Sequence, residues 1–150
     1  MKVYDSVTAA RYLLALGYAK RKILNVTKVQ KLLFIAYGYI LARDGYAFLD
    51  EQPRAWPYGP VFPHTRSRID YSQVIDTDDP ALAEIREDPK ITGIFNTIIG
   101  KYAHYTAGEL SAWSHTKGSP WEKTTREPRF EWNDPIGQSY IREYFAGIEV

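Results

Sequence analysis

TKVQKLLFIAYGYILAR, residues 27–43, is the stretch whose reading decides the fold. Thr27 and Gln30 stand three apart, the spacing at which a hydroxyl caps a helix N-terminus while the amide side chain reaches back, so a capping box is expected there. Val29, Leu32, Leu33, Ala36, Tyr37, Ile40 and Leu41 then recur at three- and four-residue intervals, and Phe34, Ile35 and Tyr39 make a second apolar face. A helix that is apolar on two faces has to be covered on both. The expected fold is mainly α: a compact single-domain helical bundle around this central helix, about 27–43, with a short extended or turn segment near 54–62.

Size and composition agree with one such unit spanning residues 1–150. A chain of 150 residues can bury roughly 68–70% of the surface its unfolded form exposes. Its 45% hydrophobic and 25% charged residues are those of a globular protein in water, and no apolar run reaches the roughly 18 residues of a membrane span. The N-terminal MKVYDSV lacks the apolar centre of a secretory signal. With no cysteine, disulfides and thiolate metal sites are excluded, which agrees with a reducing cytoplasm, the expected location. The formal net charge of +1 hides a split: residues 1–75 carry 11 Lys/Arg and 5 Asp/Glu, net +6, and residues 76–150 carry 8 and 13, net −5. A basic half favours an acidic partner or nucleic acid, but two halves of opposite sign also attract each other or are simply solvated.

Outward from the central stretch, a first helix is expected over Ser6–Leu16, capped by Asp5 or Ser6 and ended by Gly17. Lys20-Arg21-Lys22 fills the connection, either as a solvated turn or as a contact site. Gly45 can take the left-handed conformation that closes the central helix. Residues 46–63, YAFLDEQPRAWPYGPVFP, hold too many prolines for a long helix and too many aromatics for a free loop. An extended segment at Arg54–Trp56 and a pinned turn at Gly59-Pro60 satisfy both, with Trp56 and Tyr58 packed inward. Short helices are expected over His64–Gln73 and Pro80–Asp88, and a longer one over Ile91–Tyr105. Thr106 and Glu109 form another capping-box pattern, Ser119-Pro120 starts a short helix, and Asn133-Asp134-Pro135 introduces the last one.

Nothing in this pattern makes a catalytic or metal site. His64, His104 and His115 lack the four-residue spacing of a helical metal pair, and no glycine-rich phosphate loop or nucleophile elbow is present. Asp50-Glu51 and Asp78-Asp79 are adjacent in sequence and need not face a common substrate. A hydrolase built on His115 with Ser114, Thr116 or Glu122 is the least supported reading; a ring whose hydrogen bonds fix a helix end is the simpler one. No catalytic residue, metal ligand or cofactor is therefore assigned.

Three ordered motifs resemble one family. They are Leu24–Phe34 (LNVTKVQKLLF), Ala55–Val61 (AWPYGPV) and Leu110–Trp121 (LSAWSHTKGSPW). Together they are similar to the Panacea domain of SocA-like antitoxins, also called GepA-like from its place on mobile genetic elements, over roughly residues 5–146. The family pattern is a tryptophan shortly before Tyr-Gly-Pro-Val, and a His-Thr pair shortly before Pro-Trp. The resemblance implies a mostly helical, non-enzymatic antitoxin that binds a cognate toxin protein encoded nearby, and that in the SocA case delivers it to the ClpXP protease. It also implies that Gln30, Leu32, Trp56, Tyr58, Gly59, Pro60, Trp113, His115, Pro120 and Trp121 form the family scaffold. Many family members carry an appended DNA-binding or other segment, for which this chain leaves no room; the resemblance therefore leaves self-regulation of its operon open. Charge points to Lys20, Arg21, Lys22, Lys28, Lys31 and Arg54 as partner-binding residues. The alternative is a small nucleic-acid-binding regulator of a mobile element using the basic half, which the near-neutral total charge disfavours.

Overall fold

Asn25, not Thr27, starts the central helix: its side chain accepts from Lys28 N at 2.9 Å, and helix α2 runs Val26–Asp44. Both residues are eligible caps. The expected capping box fails because Gln30 is used elsewhere. Its Oε1 accepts from the buried Phe62 N at 2.7 Å, and its Nε2 donates to Tyr71 Oη at 3.2 Å. Gly45 closes α2 in the left-handed conformation, φ 78°.

A computed structural model describes residues 2–148. Before α2 comes α1, Ser6–Ala19, capped by Asp5. After it come a hairpin, β1 Arg54–Trp56 and β2 Gly59–Val61, and then α3, Pro63–Arg68. A single 3-10 turn at Pro80–Leu82 leads into α4, Ala83–Arg86, then α5, Pro89–Tyr102, and α6, Ala107–Ser114. The last two helices are α7, Pro120–Thr125, and α8, Gln138–Ala146. The fold is thus mainly helical, with one two-stranded hairpin among the described residues.

The two-faced apolarity of α2 is answered from all sides. Helices α1, α5, α6 and α8 and strand β2 all pack on it. Leu32, Leu33, Ala36, Tyr37 and Ile40 are fully buried, and Phe34 meets Phe145 of α8 edge-on at 5.6 Å between ring centres. These residues belong to one hydrophobic core, which takes in Leu13 and Leu14 from α1 and Ile91, Phe95 and Ile98 from α5.

Several boundaries differ from the sequence expectation for tertiary reasons. Helix α1 runs through Gly17 to Ala19, because that glycine serves the returning chain: a Cβ there would lie 2.6 Å from Lys22 O. Helix α3 stops at Arg68, five residues short of Gln73. Ile69 turns extended and Asp70 Oδ1 takes both the amide and the hydroxyl of Ser72. Helix α8 starts at Gln138 because residues 133–136 first pair along the outer edge of β1: Asn133 N donates to Ala55 O, Ala55 N to Asp134 O, and Ile136 N to Pro53 O. The capping box at Thr106 and Glu109 forms as expected, and Ser119 caps α7.

Candidate functional site

The hairpin tip, Trp56-Pro57-Tyr58-Gly59-Pro60, gathers the late motifs around the early ones. Strand register pairs Arg54 with Val61, Ala55 with Pro60 and Trp56 with Gly59. Ala55 directs its N–H and C=O away from β2 toward Asp134 and Asn133, so its partner position needs no donor. Pro60 therefore sits in the sheet without cost to the ladder. Gly59 has φ 110°, and a Cβ there would lie 2.5 Å from Ser114 Oγ, so both backbone and space require glycine.

Four carbonyl groups of the tip face side chains of α2, α6 and α7 or of the residue that follows α6. Trp121 Nε1 of α7 donates to Trp56 O at 2.8 Å, and Ser111 Oγ of α6 donates to Tyr58 O at 3.0 Å. His115 Nε2, just past α6, lies 2.9 Å from Pro57 O. Lys31 Nζ of α2 donates to Pro60 O at 3.1 Å. With Gln30 on Phe62 N, neighbouring residues of α2 thus hold one acceptor and one donor of the second hairpin arm. The other ring nitrogen of His115, Nδ1, lies 2.6 Å from Ser111 O. Two carbonyls face one imidazole, and a neutral ring can donate to only one of them.

Lys31 corrects the charge-based assignment most sharply. It is 1% exposed, so in this conformation it is not a surface contact, and burial pushes its ammonium down to about 8 from 10.5. The other cations are scattered. Lys28 Nζ donates to Ala103 O at the end of α5 at 2.6 Å, and Arg54 Nη1 donates to Asn133 O at 2.9 Å. Lys20, Arg21 and Lys22 are exposed in the α1–α2 connection, with Arg21 at φ 59°.

Tyr58 reverses its expectation too. Its carbonyl is held, but its side chain is 72% exposed, whereas Leu32, Gly59, Pro60 and Pro120 are buried. Trp113 is half-buried against Tyr144 and Phe145, at 6.1 and 6.5 Å. Trp56 and Trp121 are also half-buried and open toward a surface the sequence reading missed. Trp56 Nε1 donates to Asn133 Oδ1 at 2.9 Å and carries the Arg66 guanidinium 5.5 Å above its ring. Trp121 lies between His115, 4.0 Å away, and Trp132, 6.2 Å away, and Trp132 is 54% exposed. Asn133 was legible only as part of a helix-start signal, and Ser111 only as a member of the Leu110–Trp121 motif.

The carboxylate pair Asp50-Glu51 also has structural employment. Asp50 Oδ1 accepts from Ser6 N, while Glu51 accepts from Ser6 Oγ, Thr65 Oγ1 and the amides of His64 and Thr65. That ties the starts of α1 and α3 together and satisfies first-turn N–H groups of α3. Among the described residues no three His, Asp or Glu side chains cluster as metal ligands would, and no helix is long and apolar enough to cross a membrane.

A family model described as Antitoxin SocA-like, Panacea domain, matches residues 29–122. That interval runs from the first turn of α2 to Glu122 of α7, and includes all four side chains that hold the tip carbonyls. Among curated proteins and among solved structures, nothing matches the chain.

Proposed function

The chain belongs to the SocA-like antitoxin family with a Panacea domain, and from that premise we propose that it neutralises a cognate toxin protein by binding it directly in the cytoplasm. The family match carries this reading. Two features support it: the hairpin tip is pre-organised, which lowers the ordering cost of association, and tryptophan, tyrosine and arginine are the side chains favoured at interface centres. The scaffold we propose is the whole chain as one domain. Helices α1 and α8 lie outside the matched interval, yet both cover α2.

The nucleic-acid alternative loses its main support, because Lys31 is buried and Lys28 and Arg54 are committed to carbonyl groups. Co-expression with the protein encoded beside it tests the proposal. The expected outcome is rescued growth and co-purification of the two chains; toxicity undiminished by this chain, with no complex, overturns it. Repeating the rescue in cells lacking a ClpXP-type protease separates neutralisation by binding from delivery for degradation. Rescue that persists there assigns the effect to binding alone.

A further inference from the structure

We propose that His115 is a proton-operated latch on the hairpin tip: with both ring nitrogens protonated it ties the end of α6 to Pro57, and loss of one proton frees the Pro57 carbonyl. Such a latch sets how firmly the tip is held and does not depend on the antitoxin reading above.

The geometry asks for two protons. Nδ1 lies 2.6 Å from Ser111 O, and Nε2 lies 2.9 Å from Pro57 O. In a neutral ring one of these nitrogens is an acceptor, and its lone pair would face a carbonyl oxygen at hydrogen-bond distance. No hydroxyl relieves it. Ser114 Oγ is 3.4 Å from Nδ1, but its one proton goes to Ser111 O at 2.7 Å. Only the imidazolium donates at both ends. The short Nδ1 contact agrees with a charged donor, whose bonds are shorter than neutral ones. Trp121, with its ring centre 4.0 Å from that of His115, adds an aromatic surface that attracts a cation. The Nδ1 bond closes within the last turn of α6 and is the shorter of the two, so the bond released with the proton is the one to Pro57.

The surrounding charges do not substitute for the carbonyl pair. From α2, Lys31 reaches the neighbouring Pro60 O, and its ammonium opposes a second proton on His115. On the hairpin side, Arg54 is turned to Asn133 O, Arg66 covers Trp56, and Tyr58 is exposed. Glu109 caps the far end of α6 at Thr106. Toward α7, Lys117 and Lys123 are exposed, and Glu122 accepts from Gly118 N at 3.1 Å and lies 3.4 Å from Arg126. No described carboxylate comes within 4.0 Å of either His115 ring nitrogen.

The test is an NMR titration of the full chain carrying isotope-labelled histidine, which reports the protonation of each ring nitrogen separately. His64 and His104, both exposed, serve as internal controls. The expected result is that both His115 nitrogens are protonated at a pH where the two controls are neutral. The ring should hold its proton about tenfold more tightly than they do, the gain that hydrogen bonds from a charged donor supply. As that proton leaves, exchange of the Trp121 indole N–H, which donates to Trp56 O, should quicken beyond the base-catalysed rise of an unprotected indole. This step should persist in Lys31→Met and be absent in His115→Gln, with thermal melting to check that each variant is folded; the reverse pattern assigns it to the lysine and overturns the latch. The wild-type titration decides the matter even if a variant fails to fold. A His115 ring that titrates together with the controls, or that keeps one bare nitrogen throughout, overturns the latch.

Discussion

Two connections in this chain carry residues that invite a partner, and they are built in opposite ways. The α1–α2 connection holds itself by its own backbone: Lys20 N and Lys22 N both donate to Gly17 O, and Arg21 N to Tyr18 O. The hairpin tip is held by side chains 29 to 65 residues away in sequence. A locally closed turn can change its side chains without consequence elsewhere, so Lys20, Arg21 and Lys22 are free to vary. A turn closed by distant donors has its backbone tied to the core while Pro57 and Tyr58 stay exposed. The contrast teaches that exposure alone does not mark the functional loop; what matters is exposure on a backbone that cannot relax.

The largest expected effect breaks the tip. Gly59→Ala sets a Cβ at φ 110° against the buried Ser114 hydroxyl, and should cost about 3 kcal/mol of stability in urea unfolding. A loss below about 0.5 kcal/mol, the usual surface range, would show that the tip relaxes as freely as the other connection.

An intermediate effect tests the buried clamp through pH. Burial holds the Lys31 ammonium down at about 8 against 10.5. Below about pH 8 the folded and unfolded chains are both protonated there, and the folded chain bears the cost of a buried charge. From there toward the ordinary lysine value the folded chain gives up the proton while the unfolded chain keeps it. The unfolded state then binds more protons, so stability rises with pH. Between pH 7 and 9.5 the gain should be about 2 kcal/mol, and it should vanish in Lys31→Met. Burial raises the Tyr12, Tyr37 and Tyr71 hydroxyls, which act in the opposite sense above about pH 10. Subtracting the Lys31→Met profile from the wild-type profile removes their contribution. Parallel profiles would mean that Lys31 is solvated and the clamp on Pro60 is absent.

The smallest effect belongs to the self-contained connection. Arg21 sits at φ 59°, where a side chain is strained and glycine is not. Relief of that strain, offset by the greater freedom of glycine in the unfolded chain, should leave Arg21→Gly more stable by about 0.5 kcal/mol. Thermal melting would register the change, and toxin binding should be unaltered. Weakened binding in this variant would move the partner surface back to the basic connection.

Much of the helical frame was legible because its signals close within a few residues. The stripe from Ile91 to Ile99 buries as periodicity requires, and Thr106 with Glu109 caps α6 within one turn. The α2 start was misread by two residues because Asn25 and Thr27 both qualify as caps, and the deciding competitor for Gln30, the Phe62 amide, is 32 residues away. The start of α8 was misread because Asn133-Asp134-Pro135 makes an equally good strand edge once β1 stands beside it. In the candidate site, the resemblance gave Trp56, Gly59, His115 and Trp121 as scaffold residues, and the structure places all four at the hairpin tip. Arg66 and Trp132 carry no local pattern that announces them, and Ser111 and Asn133 were read only as part of a motif and of a helix start.

By itself, then, the sequence determined a doubly apolar helix that must be surrounded, a proline-pinned aromatic turn, and the ordered motifs that assign the family. Tertiary structure alone decided which polar and aromatic groups face water. Lys31 lies inside because Pro60 O needs a buried donor, and Tyr58 lies outside because the tip that carries it is fixed from behind by Ser111 and Trp121. The physical reason is that hydrophobic periodicity is a property of neighbours along the chain, whereas the pairing of a buried carbonyl with a donor depends on which elements the fold brings together.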